Sequence, residues 1–191
     1  MKDGCAHAYF FGYGSLVNAA THVHAPLHHA TAKGWRRAWV AVPERALCYL
    51  TAVIDPLSDL KGAIAPVPGD DWATLDLREA AYARHTQSHA VTHDSPATEI
   101  ALYAVSPERH TAPGDHNPIL LSYLDTVVTG YMTLYGPQGA AEFFSTTSGW
   151  QAPVLNDRAA PRYSRTTPLS DEVRDMVDDG LGRQNCRIIP G

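Results

Sequence analysis

The chain has no basic run longer than the pair Arg36-Arg37, and its acidic residues outnumber its basic ones, 20 to 15, for a formal net charge of −5. The positive footprint by which proteins grip a phosphate backbone is missing, so no nucleic-acid partner is expected. No stretch approaches the roughly 18 or more consecutive apolar residues of a membrane span, and no membrane partner is expected. The start, Met1-Lys2-Asp3-Gly4-Cys5, has charge but not the apolar segment of a secretory signal. Cysteine is scarce. Cys5, Cys48 and Cys186 are odd in number, far apart and without a Cys-x-x-Cys pair, which reads as reduced thiols in a cytoplasmic protein. Internal repeats, low-complexity tracts and a convincing linker are also absent, and nothing suggests an obligate protein partner. The expectation is one domain over 1–191 with a C-terminal helical extension.

What is present begins with Tyr9-Phe10-Phe11-Gly12-Tyr13-Gly14-Ser15-Leu16. An aromatic run favours a strand, and two glycines one residue apart permit a tight turn and a close approach of other groups. A strand that stops this way presents outward amides able to hold an anion or a developing oxyanion. Further strands are expected over 34–42, 47–53, 62–67 and 98–105, with a turn at Pro56–Asp59. Helices are expected from Asp71 to about His85, from Asn117 to Leu134 with Asn117 as its cap, over 136–146, and from Ser170 to Gly180. Residues 17–31 read as a loop with a short helix, and 156–167 as a loop or irregular segment. Strands come first and helices later, which favours an α+β fold over a doubly wound parallel sheet.

The second informative feature is a carboxylate on an apolar stripe. At 100° per residue, Trp72, Leu75, Glu79 and Tyr82 fall within about 80° of one another, so Glu79 is expected to face inward. An unpaired carboxylate is costly to bury. Burial raises its pKa and makes it a competent acid or base near neutrality. The alternative is a structural ion pair with Arg36, Arg37 or Arg78, which perturbs a carboxylate just as well.

The Gly-Tyr-Gly-Ser-Leu turn and the segment Leu75-Asp76-Leu77-Arg78-Glu79-x-x-Tyr82, about 65 residues later, together resemble the γ-glutamylcyclotransferase superfamily. Gly34-Trp35-Arg36-Arg37 looks like that family's Gly-Tyr/Trp-x-Arg strand, and Gly62-Ala63-Ile64 like the strand before its acidic helix. Asp157-Arg158-x-x-Pro161-x-Tyr163-x-Arg165 is similar to the C-terminal segment of several bacterial members. The resemblance implies a small mixed β-barrel with flanking helices. It also implies a cofactor- and metal-independent reaction, in which the α-amine of a γ-glutamyl group attacks its own γ-carbonyl to release 5-oxoproline and an amine. By position, Glu79 would be the catalytic acid/base. Tyr13, Gly14, Ser15 and Leu16, with Tyr82 nearby, would bind the small γ-glutamyl substrate. Leu16 stands where several enzymes acting on free γ-glutamyl amino acids have Asn, so a γ-glutamyl amino acid, a γ-glutamylamine and glutathione all remain open. A non-catalytic small-ligand-binding module on the same fold is the alternative.

Other readings of these residues compete. Ser15 as a hydrolase nucleophile lacks the Gly-x-Ser-x-Gly elbow, since Val17 holds the last position. The same Val17 replaces the third glycine of a dinucleotide fingerprint. His22-x-His24 with His28-His29 has some metal-ligand spacing but no Cys or carboxylate nearby to complete a site, and reads as a solvated loop. Tyr103 and Tyr163 are pocket candidates with amphipathic packing as the alternative. The acidic run from Asp171 to Asp179 reads as a solvated helix face.

Overall fold

A computed structural model describes residues 7–43 and 45–191. The Met1–Cys5 start and the Cys5 thiol lie outside the described residues. The elements run β1 (Ala8–Gly12), β2 (His28–Val40), β3 (Tyr49–Pro66), α1 (Trp72–Arg78), β4 (Ala83–Thr86), β5 (Val91–His93) and β6 (Glu99–Ala104). They continue with β7 (Ile119–Leu120), α2 (Leu121–Ser145), β8 (Thr147–Ser148), β9 (Val154–Asn156), α3 (Asp171–Arg183) and β10 (Ile188–Pro190). The main sheet has the order β4-β6-β1-β3-β2-β5, with β8 added to β2. It curls into a half-barrel flanked by helices, the α+β arrangement expected from the sequence. A second, three-stranded sheet, β10-β9-β7, is parallel throughout.

The aromatic run becomes the middle of this sheet. β1 is buried along its whole length, antiparallel to β3 on one side and parallel to β6 on the other. Its side chains alternate with the strand period of two. Tyr9 and Phe11 enter the main core with Trp39, Leu124, Val128 and Tyr131. Ala8 and Phe10 enter a smaller cluster on the other face with Leu16, Leu75 and Tyr103. A strand apolar on both faces needs cover on both, and α1 and α2 supply it.

The long strands differ from their sequence expectation. β2 begins at His28, inside the expected loop, and β3 spans eighteen residues with the expected Pro56–Asp59 turn inside it. Pairing jumps from Lys33↔Asp59 to Trp35↔Ile54, so residues 55–58 bulge outward opposite Gly34. The turn chemistry is present: the Asp55 carboxylate accepts from Leu57 N–H at 3.2 Å and from the Ser58 hydroxyl at 2.9 Å. It makes a bulge because β2 holds the strand on both sides of it.

The helices also depart from expectation. α2 is broken at Gly136, whose φ of +69° only glycine adopts freely, and Pro137 restarts it. This matches the two helices expected there. The first of them, however, starts at Leu121, and Asn117 does not cap it. The cap comes from Asp157, which accepts from the Ser122 N–H at 2.8 Å and hydroxyl at 2.6 Å. A buried carboxylate at a helix N-terminus meets the unpaired amides and the positive end of the dipole. α3 runs past Gly180 to Arg183, because Gly180 serves packing: a Cβ there would lie 2.5 Å from the Phe144 ring. α3 buries Val177 and Leu181 and is exposed along most of its acidic run.

Candidate active site

The turn after β1 is built before any chemistry is asked of it. Val17 N–H donates to Gly14 C=O and Asn18 N–H to Ser15 C=O, both at 3.0 Å, forming one tight helical turn. Asn18 then fixes the turn to α2: its side-chain amide donates to Thr126 C=O at 2.9 Å. From below, the Tyr131 hydroxyl donates to Tyr13 C=O at 3.0 Å. Gly14 is required by proximity, since a Cβ there would lie 2.6 Å from the Tyr123 hydroxyl. Among the described residues, the backbone amides of Gly14 and Leu16 donate to no protein acceptor. The Tyr13 side chain crosses the cavity floor and its hydroxyl donates to Tyr103 C=O at 2.5 Å.

Glu79 reaches the same place from the other side, by a route that differs from the expected helix. α1 is capped as foreseen by Asp71, which accepts from Thr74 N–H at 3.2 Å, but it stops at Arg78. Glu79 is its C-cap, with a non-helical ψ of 29°. Tyr82 N–H then turns back to Glu79 C=O at 2.8 Å, and the chain leaves as β4. Glu79 thus sits at a helix end. The Glu79 carboxylate accepts from Arg78 Nε at 3.1 Å, and the Arg78 guanidinium also donates to Thr21 C=O at 3.1 Å. Of the three arginines considered as partners, Arg78 is the one that pairs. Arg36 pairs with Asp55. Arg37 is buried among Tyr131, Thr146, Thr147 and Lys61 C=O, at 2.6–3.0 Å.

A cavity of about 40 Å³ separates the turn from Glu79. Gly12, Tyr13, Gly14, Ser15 and Leu16 line one part of it, and Glu79, Tyr82, Tyr103 and Tyr123 the rest. It has room for a few water-sized groups, so it fits the head of a ligand and not its body. It shares Ser15, Leu50, Glu79, Tyr82 and Tyr123 with a larger chamber of about 410 Å³, which adds Trp39, Arg45, Tyr49, Tyr163 and Arg165 among its walls. Burial raises the Glu79 pKa, and it outweighs the opposing pull of the Arg78 and Arg165 charges. Burial likewise pushes the Tyr82 and Tyr123 phenols well above the ordinary tyrosine range, so both stay protonated.

The residues singled out in the sequence thus meet at one point: Tyr13, Gly14, Ser15, Leu16, Glu79 and Tyr82 all line the small cavity. Tyr103 lines it too, although its hydroxyl is committed to Asp76 at 2.5 Å. Tyr163 lines the larger chamber and meets Tyr123 edge-on at 5.0 Å. Sequence reading missed Tyr123, Leu50 and Arg45, for which no motif gives a signal. Arg165 stood only inside the C-terminal resemblance. The four histidines part into two places. His22 and His24 bond the carbonyls of Leu16 and Pro66 against Phe10, while His28 and His29 lie along β2. His22 and His24 are therefore partly packed, not a solvated loop. Among the described residues, no helix is long and apolar enough to cross a membrane.

No protein-family model matches the chain, and no curated protein matches its sequence. Solved structures do match. The human uncharacterized protein loc79017 aligns with a TM-score of 0.57 at 13% identity, over 89% of this chain and 97% of its own. A protein named gamma-glutamyl cyclotransferase aligns at 0.56 and 13% identity, over 90% and 98%. YkqA from Bacillus subtilis aligns at 0.53 and 18% identity, over 75% of this chain and 56% of its own. At such identities the likeness speaks for architecture alone, and it does so over nearly the whole chain: this protein has the γ-glutamyl cyclotransferase-like fold.

Proposed function

We propose that the chain belongs to the γ-glutamylcyclotransferase superfamily and converts a γ-glutamyl compound into 5-oxoproline and a free amine, with Glu79 as the acid/base. One observation carries the reading: a largely buried carboxylate and a turn with open amides, about 65 residues apart in sequence, line the same small cavity.

The attacking amine and the carbonyl belong to one substrate, so the protein's first task is to hold the glutamyl chain curled. Such positioning replaces lost entropy by geometry. The small cavity takes the glutamyl head. Glu79, deprotonated, accepts a proton from the α-ammonium. The freed amine attacks the carbon of the γ-carbonyl, and the carbonyl oxygen becomes an oxyanion held by amides of the Gly14–Leu16 turn. Glu79 returns the proton to the leaving nitrogen, the C–N bond breaks, and the surplus proton left on the ring nitrogen passes through Glu79 to the released amine, which departs as its ammonium. Atoms and charge balance without a co-reactant. A raised pKa suits the double role: the carboxylate is a better base for the ammonium and a ready acid for the leaving group. Arg78 keeps the carboxylate turned toward the cavity through its Nε–H donation.

Mass spectrometry of γ-glutamyl-alanine incubated with wild type and with Glu79→Gln tests this. Production of 5-oxoproline by wild type and its near loss in the variant supports the proposal. Full activity in the variant removes Glu79 from its role, and binding without turnover by wild type points to a silent ligand-binding module.

A further inference from the structure

The larger chamber holds more positive charge and more unmatched donors than the reaction requires. In a chain of net charge −5, its walls carry Arg45, Arg78 and Arg165 against the single carboxylate of Glu79. Arg78 is committed to Glu79 and Thr21. The guanidinium groups of Arg45 and Arg165 have no acceptor among the described residues. They come from separate segments, the β2–β3 connection and the stretch between β9 and α3. Arg165 is close enough for its charge to be felt at Glu79. Both arginines are exposed walls of the chamber, and they are complementary to an acceptor bearing negative charge. Leu47, Tyr49 and Tyr163 supply an apolar and aromatic lining beside it.

Resting on the proposed cyclotransferase reaction, we infer that the chamber binds the amine half of the substrate through a carboxylate, with Arg45 and Arg165 as the specificity-determining residues. The substrate class is then γ-glutamyl amino acids or short γ-glutamyl peptides, and γ-glutamylamines are disfavoured. The division of space agrees: about 40 Å³ at the turn for the glutamyl head and about 410 Å³ beyond it for the rest. Arginine forks are suited to paired hydrogen bonds with a carboxylate, and such bonds are roughly twice as strong as neutral ones.

The test compares γ-glutamyl-alanine with γ-glutamyl-alaninamide, which differ only in that carboxylate. Wild type is expected to favour the acid by roughly tenfold or more in kcat/KM, and the ratio should fall toward one in Arg45→Gln/Arg165→Gln. Equal use of both substrates by wild type overturns the inference. So does an equal loss on both in the variant, which would assign these arginines to the glutamyl α-carboxylate. Calorimetric binding of the two compounds to Glu79→Gln makes the same comparison without turnover. Tighter binding of the acid, erased by the arginine substitutions, supports the inference even if wild type releases no 5-oxoproline, in which case the cyclotransferase reading alone fails. Equal affinity, or no binding of either compound, overturns it.

Discussion

Gly14→Ala isolates the packing of the turn against the first residues of α2. A Cβ at position 14 would stand 2.6 Å from the Tyr123 hydroxyl, 3.6 Å from Leu50 Cδ2 and 3.8 Å from Tyr123 Cζ. Only the hydroxyl is in conflict, and ordinary contact near 3.4 Å requires it to retreat by about 0.8 Å. The ring has little freedom to do so, because it is wedged edge-on between Trp39 at 5.9 Å and Tyr163 at 5.0 Å. Overpacking of this kind costs about 1–3 kcal/mol. For a chain of this size that lowers Tm by roughly 2–12 °C. Removing the hydroxyl removes the clash, so Gly14→Ala in a Tyr123→Phe background should cost less than about 1 kcal/mol. Thermal unfolding of wild type, both single variants and the double variant gives the coupling energy directly. Additive effects would refute the geometry, for they would mean that Tyr123 does not stand over Gly14.

Three further expectations follow from the same structure. For Glu79 the folded pKa is raised above the ordinary 4.5, so the native state binds that proton more tightly than the unfolded chain. The group's contribution to stability is full below that ordinary value and is lost as pH rises through the folded one. The Tm difference between Glu79→Gln and wild type should therefore be more positive at about pH 8 than at about pH 4, and kcat/KM of wild type should fall on the acid side with a midpoint above 4.5; an opposite sign would mean that Arg78 outweighs burial. Arg37→Gln strips donors from Thr146, Thr147, Tyr131 and Lys61 C=O, and should cost about 3 kcal/mol, read as a Tm drop of roughly 6–12 °C. Burial pushes the Cys48 thiol up to about 12 and Cys186 to about 11, so peptide mapping after alkylation of the native protein near neutrality should find both unmodified.

How far the chain could be read before its fold depends on how local each cause is. β1 was legible because an aromatic run on both faces of a strand demands a central, doubly covered position, and it has one. The Asp71 cap and the Gly136-Pro137 break were legible because capping and kinking are set by the residues themselves. α1 was read too long because Ala80, Ala81 and Tyr82 fit a helical period. The Tyr82 hydroxyl instead bonds Leu50 C=O at 3.2 Å, and Arg84 stacks on Trp72 at 4.5 Å, drawing the chain into a strand. Glu79 faces inward as expected, but as a helix cap and not as part of a stripe. Tyr123, Arg45 and the Asp157 cap were out of reach. Each acts across dozens of residues, through topology that no local pattern encodes.

The proposed reaction is an intramolecular attack, and isotope incorporation reads it directly. γ-Glutamyl-alanine is incubated with wild type in ¹⁸O-labelled water, and the products are weighed by mass spectrometry. The expected products are 5-oxoproline, equimolar with alanine and free of ¹⁸O, because the nucleophile is the substrate's own amine. Glutamate carrying one ¹⁸O would mean that water attacks instead, and would contradict the proposed reaction.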